Sequence, residues 1–117
     1  MAYRSFEELE IWKRACELAV RVYDMVKESR DYAFKDQMTR AALSIASNIA
    51  EGAERDSKAE FIRFLNIAKG SAAELRTQLY IAAKAGVIRT DESEELIRET
   101  KELSSMMHGL IKAIRKA

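Results

Sequence analysis

Reactive side chains are scarce in this chain. One histidine, His108, and one cysteine, Cys16, stand among 117 residues. No serine–acid arrangement can be placed beside His108, and position 105 is Ser, so the Glu-x-x-His spacing of di-metal helical bundles is absent. His-Glu-x-x-His, a glycine-rich phosphate loop and paired cysteines are absent too. His108 therefore reads as a helix-surface residue. Cys16 falls on an apolar stripe and reads as a small buried hydrophobe rather than a reactive thiol. A lone cysteine excludes a disulfide framework and any multi-thiolate metal site. The expectation is a non-enzyme with no catalytic residue, cofactor or metal.

Two polar groups could bind something instead. In Ser47-Asn48-Ile49-Ala50-Glu51-Gly52, Asn48 and Glu51 stand three apart and share one side of a helix, next to its apolar stripe. Polar groups there cost free energy unless hydrogen-bonded. Arg40, Arg55, Ser71, Glu74 and Gln78 are the candidate partners. Two readings follow: a satisfied network that sets helix register, or a contact site for a ligand or RNA. The second group is basic. Lys58, Lys69 and Arg76 project to nearly one angle on a helix, with Arg55 and Lys84 within about 80° if the helix extends that far. No acid of that helix falls in the strip. A solvated helix face is the bland reading; a phosphate-contacting strip, repeated by symmetry in an oligomer, is the sharper one.

Helices must position these residues. Ser5 with Glu8 forms a capping-box pattern, opening a helix over about 6–29. Its apolar residues make two neighbouring seams. Leu9, Trp12, Cys16, Ala19, Tyr23 and Val26 form one; Ile11, Ala15, Leu18, Val22 and Met25 form the other. Together they span an arc of about 200°. After a connection at 29–33, a second helix runs over about 34–54 with Phe34, Met38, Ala42, Ile45 and Ile49 on one stripe. It is rich in Ala and Ser, and Gly52 with the polar run Glu54-Arg55-Asp56 ends it. Ser57 with Glu60 opens a third helix, striped by Phe61, Leu65, Ala68, Ala72, Leu75, Leu79 and Ala82 and closed by Gly86. Gly70, in its middle, costs about 1 kcal/mol relative to Ala. Close approach of the small-residue face of helix two is the expected reason. Thr90 or Asp91 caps a fourth helix striped by Leu96, Thr100, Leu103, Met107, Leu110 and Ile114. Its acids cluster at the start and its bases at the end, as the helix dipole prefers. Short connections favour antiparallel neighbours, so the expected fold is all-α, an up-down-up-down four-helix bundle, with residues 1–117 as one domain.

Composition agrees. Hydrophobic residues make up 48% and charged residues 33%, and no proline is present where average usage of about 5% would give about six. Nothing therefore forces a long helix to break. The N-terminal segment carries Glu7 and Glu8 where a signal peptide needs an apolar run, and no stretch reaches the ~18 apolar residues of a membrane span. A reducing cytoplasm is the expected location. A net charge of +1 lacks the overall basic excess of most nucleic-acid binders, although residues 41–90 hold seven bases against five acids.

The apolar arc of helix one is about twice what a bundle helix needs. Phe64, Ile67 and Ser71 likewise sit beside the main stripe of helix three. Such a surplus predicts burial between subunits, hence a homo-oligomer.

Three stretches carry a family resemblance. They are Phe6-x-x-Leu9-x-Ile11-Trp12, then Arg40-Ala41-Ala42-x-Ser44-Ile45-x-Ser47-Asn48-Ile49-Ala50-Glu51-Gly52, and last Glu60-Phe61-x-x-Phe64-Leu65-x-Ile67-Ala68-x-Gly70-Ser71-x-x-Glu74-Leu75-x-Thr77-Gln78-Leu79. In this order they resemble the four-helix proteins encoded in intervening sequences of bacterial 23S rRNA genes. The resemblance implies an antiparallel bundle assembling as a homopentamer, with a function largely unassigned. A similar group, the accessory variability proteins of diversity-generating retroelements, binds nucleic acid and a reverse transcriptase, so RNA or a ribonucleoprotein is the implied partner. Family members commonly carry Pro where this chain has Ala46, which should keep helix two straight. The retroelement group is also far more basic. A protein-interaction or structural oligomer with no nucleic-acid role remains the alternative.

Overall fold

The computed structural model describes residues 5–117, and within them four helices follow a short 3₁₀ turn at Phe6–Glu8. Residues 1–4, part of the segment read above as unlike a leader, lie outside the described residues. The helices are α1 (Glu10–Val26), α2 (Tyr32–Ala53), α3 (Lys58–Lys84) and α4 (Thr90–Lys116). Each packs on its neighbours in sequence, α1 and α4 close the ring, and the backbones of the diagonal pairs stay farther apart. The result is a four-helix bundle 45 Å long and 19 Å across.

Helix starts and stops follow local chemistry. Ser57 Oγ accepts from the Glu60 amide and caps α3. Asp31 does the same for α2, its Oδ1 accepting from Phe34 N, so α2 begins two residues before the apolar stripe does. Gly86 takes φ 76°, and the amides of Gly86 and Val87 bond back to the Ala83 and Ala82 carbonyls, a Schellman end to α3. Three sequence expectations about helix ends change. Ser5 makes no side-chain cap; Leu9, extended at φ −75° and ψ 125°, separates the 3₁₀ turn from α1. In one straight helix Phe6 and Trp12 would point about 120° apart. The break lets their rings meet edge to face at 5.2 Å. Helix α1 also stops at Val26 rather than near 29. Neither Thr90 nor Asp91 caps α4: Arg89 precedes it without a side-chain cap, and its guanidinium holds Asp91 at 2.6 Å.

The core takes the second apolar seam of α1. Ile11, Ala15, Leu18 and Val22 are buried, with Val26 the single buried member of the other seam. Trp12, Cys16 and Ala19 are half-buried, and Tyr23 is 52% exposed. The predicted stripe of α3 is buried from Phe61 to Ala82, as are Met38, Ala42, Ile45 and Ile49 of α2. On α4, Leu96, Thr100, Leu103, Met107 and Ile114 are buried, and Ile111 takes the place expected of Leu110. Each fully buried Leu or Ile contributes about 1.5–3 kcal/mol.

Two glycines exchange roles relative to expectation. Gly52 does not end α2 but sits inside its last turn, against α3. A Cβ there would lie 2.6 Å from Phe64 Cβ and 3.3 Å from Phe61. Gly70 is exposed, and a Cβ there would meet nothing within 4 Å. The close approach of α2 to α3 is made at Gly52.

Candidate nucleic-acid interface

Lys58, Lys69 and Arg76 lie on the side of α3 that turns toward α4. Arg76 Nε donates to Thr100 Oγ1 at 3.0 Å, and Nη2 donates to Ser104 Oγ at 3.1 Å. Thr100 is fully buried, and its hydroxyl donates a hydrogen bond to the Ile97 carbonyl at 2.7 Å. The Arg76 guanidinium is thus a clamp between helices before it is anything else. Lys58 Nζ donates to the backbone oxygen of Ala117, at the far end of α4. Lys69, between them, is half-buried, and Lys84 is exposed.

Arg55 stands apart from this row. Its guanidinium lies 4.9 Å from the Phe64 ring centroid and 3.6 Å from Glu51, on the side of α3 that faces α2. Arg63 approaches the same ring at 4.6 Å, so two cations share Phe64. Arg55 and Lys58 meet only at the α2–α3 turn. There, with Ser57, Phe61 and Ile114, they line a shallow pocket of about 200 Å³.

The polar motif divides in two. Asn48 Nδ2 donates to the Ser44 carbonyl at 2.8 Å and to Ser44 Oγ at 2.9 Å, and Ser44 Oγ meets Ser71 Oγ at 2.8 Å. Ser44, absent from the sequence-based set of partners, is the link between Asn48 and Ser71. The other members look elsewhere. Arg40 is exposed and pairs with Asp36 at 3.5 Å, Glu51 pairs with Arg55, one of its candidate partners, at 3.6 Å, and Glu74 is exposed. Gln78 carries a buried Oε1 with no hydrogen-bond partner.

Charge is arranged by the α1–α4 seam, which sequence reading missed. Arg14 holds Glu99 at 2.7 Å and Glu102 at 3.1 Å, and its Nη1 lies 3.2 Å from Met106 Sδ. These two carboxylates raise the Arg14 guanidinium above its ordinary value. Arg21 reaches Glu95 at 3.4 Å. The available signal was an arginine pair seven apart on α1 facing acids at 95, 99 and 102 on α4; without the packing, nothing joins the two sets. Elsewhere, the Arg63 hydrogen bond holds Glu60 below the usual carboxylate range, and Arg89 does so for Asp91. Burial, helped by Glu17, pushes the Cys16 thiol up. His108 is exposed on α4. Among the described residues, no three His, Cys, Asp or Glu side chains cluster as metal ligands, and no helix is long and apolar enough to cross a membrane.

Comparison with known proteins bears on this arrangement. A family model described as 23S rRNA-intervening sequence protein matches residues 7–109. A crystal structure of a protein of unknown function from the S23 ribosomal protein family of Bacteroides thetaiotaomicron is similar to this chain, with TM-score 0.82 and 27% identity. The match covers 87% of this chain and 98% of that one. No curated protein matches the chain.

Proposed function

The chain belongs to the 23S rRNA-intervening sequence protein family, and on that premise we propose that it is a self-associating RNA-binding protein rather than an enzyme. The contacts to RNA, or to a ribonucleoprotein, come from Lys58, Lys69 and Arg76, with Lys84 farther along the strip and Arg55 reaching it only at the α2–α3 turn. One observation carries the reading: the three strip residues line the α3–α4 seam while both acids of α3 point away from it. Glu60 is engaged with Arg63 at 2.9 Å, and Glu74 lies about 140° or more around the helix. Phosphates meeting such a strip would release counterions, which gives affinity without any base reading.

Self-association is supported by a different face. Tyr23, Tyr32, Asp36 and Thr39 border one depression between α1 and α2, and Trp12, Cys16, Val20 and Leu43 continue along it at spacings of three and four. Val20 is 59% exposed, Tyr32 70% and Leu43 55%. Exposed apolar side chains of this kind, interspersed with Lys35, Asp36, Gln37 and Thr39, are what a second copy of the chain would cover. The proposed assembly is a homopentamer, and the proposed location the reducing cytoplasm. The same apolar face favours a second reading, a structural or protein-interaction oligomer with no nucleic-acid role.

Binding of a labelled structured RNA at 50 and 200 mM salt, with mass measured by light scattering, separates the two. Tight binding by an oligomer that weakens steeply across that range is the expected result. An oligomer without binding at the lower salt overturns the RNA reading and leaves the second one, and a monomer at micromolar concentration overturns self-association.

A further inference from the structure

A net charge of +1 conceals a segregation of charge across α4. Of the acids of α4, Glu95, Glu99 and Glu102 are held by Arg21 and Arg14 on the α1 side, whereas Glu94 lies on the α3 side near Tyr80 and Lys84, so the basic stretch begins after it. Thr100 and Ser104 face α3 through Arg76. Continuing that row at helical spacing brings His108, Lys112 and Arg115 along the outer α3 side of α4, all exposed and with no acid after Glu102. The antiparallel register places this stretch beside the stretch of α3 that carries Lys58 and Lys69, since Lys58 meets Ala117 and Arg76 meets Ser104.

We infer that the α3–α4 seam is one cationic groove, built from both helices, that seats the phosphate backbone of double-helical RNA. The inference rests on the RNA-binding reading above and deepens it by adding Lys112 and Arg115 of α4 as contact residues. From Lys58 to Arg76 the groove runs about 27 Å, close to one turn of a duplex. Single-strand binders add aromatic platforms for stacking bases. Among the described residues, the exposed aromatics Tyr23 and Tyr32 lie on α1 and α2, and Tyr80, between Arg76 and Lys84, is a single platform on the strip rather than a series. A backbone-reading contact with a duplex suits that composition.

The test uses the full chain with a labelled RNA hairpin of about one and a half turns and with a single strand of equal length. Contacts to four phosphates predict about a 100-fold loss of hairpin affinity between 50 and 200 mM salt. Lys112→Glu with Arg115→Glu should weaken hairpin binding at least 10-fold and flatten the salt slope by about two phosphates. Lys13→Glu with Arg30→Glu, which changes net charge equally on distant exposed positions, should change it less than threefold. Circular dichroism and melting confirm that each variant is folded. Equal losses in both double variants would reduce the effect to net charge and overturn the groove, as would tighter binding of the single strand. Full binding by the Lys112/Arg115 variant with loss in Lys58→Glu/Lys69→Glu would overturn the α4 contribution and leave the α3 reading standing. Absence of any binding by the wild type at 50 mM overturns both.

Discussion

Gly52 and Gly70 both lie inside helices, where each costs about 1 kcal/mol relative to alanine, but only one has a neighbour to justify it. At Gly52 the missing Cβ makes room for Phe64, whose own Cβ would be 2.6 Å away. The clash is with the root of a side chain rather than its flexible tip, so α2 and α3 would have to separate. Gly52→Ala should destabilise the protein by about 1–3 kcal/mol in urea unfolding. Gly70→Ala, with nothing within 4 Å of the new methyl, should stabilise the isolated subunit by about 0.5–1 kcal/mol. If Gly70→Ala instead lowers the mass in solution, a second copy approaches there, and the exposed Ile67, one turn away, belongs to the same contact. The Ser-Asn-Ile-Ala-Glu-Gly stretch is explained at the same scale: Asn48 is spent on Ser44, and Gly52 on Phe64.

Between elements, the α3–α4 pair depends on a charged group doing neutral-looking work. Arg76 bonds two hydroxyls of α4, one of them on the fully buried Thr100. Hydrogen bonds from a charged donor contribute about 1.5–3 kcal/mol net, and removing the donor strands part of the Thr100 hydroxyl's capacity. Arg76→Ala should therefore cost about 2 kcal/mol, while Lys69→Ala on the same strip stays within about 0.5 kcal/mol. Equal urea midpoints for the two variants would contradict the clamp. For the same reason a charge reversal at Arg76 cannot report on RNA alone, and Lys58 with Lys69 are the cleaner pair. The helix ends show how local chemistry and packing divide the labour. Ser57, Asp31 and Gly86 act through their own backbone neighbourhood, whereas the break at Leu9 serves a contact between Phe6 and Trp12 that a helical period does not foresee.

For the whole molecule, the exposed charge pairs contribute little to stability. Glu60 and Asp91 have folded-state values lowered by Arg63 and Arg89. A lowered carboxylate contributes stability that is present above its unfolded value, about 4, and lost as pH falls through the lowered folded value. Asp91 is exposed and Glu60 only partly shielded, so the contribution is small. Melting temperature should stay level between about pH 6 and 8 and decline below about pH 4; a rise on acidification would contradict these pairings. The exposed apolar residues of α1 and α2 and the basic α3–α4 seam occupy different sides of the bundle.

Four helices, their antiparallel order, the Ser57 cap, the Gly86 stop and the buried stripe of α3 are all determined by the sequence itself, because each rests on spacings of three and four or on a bond to a backbone group nearby. Which seam of α1 turns inward was not, since two adjacent apolar seams satisfy the same period and only the partner helices choose between them. The roles of Gly52, Arg76 and Arg14 were likewise decided by the tertiary structure. A glycine's reason is the side chain of another helix, and an arginine's partner is a hydroxyl or carboxylate 24 to 88 residues away. Charge follows the same rule: composition determines a sum of +1, and only packing sorts it into a neutralised side and a basic one.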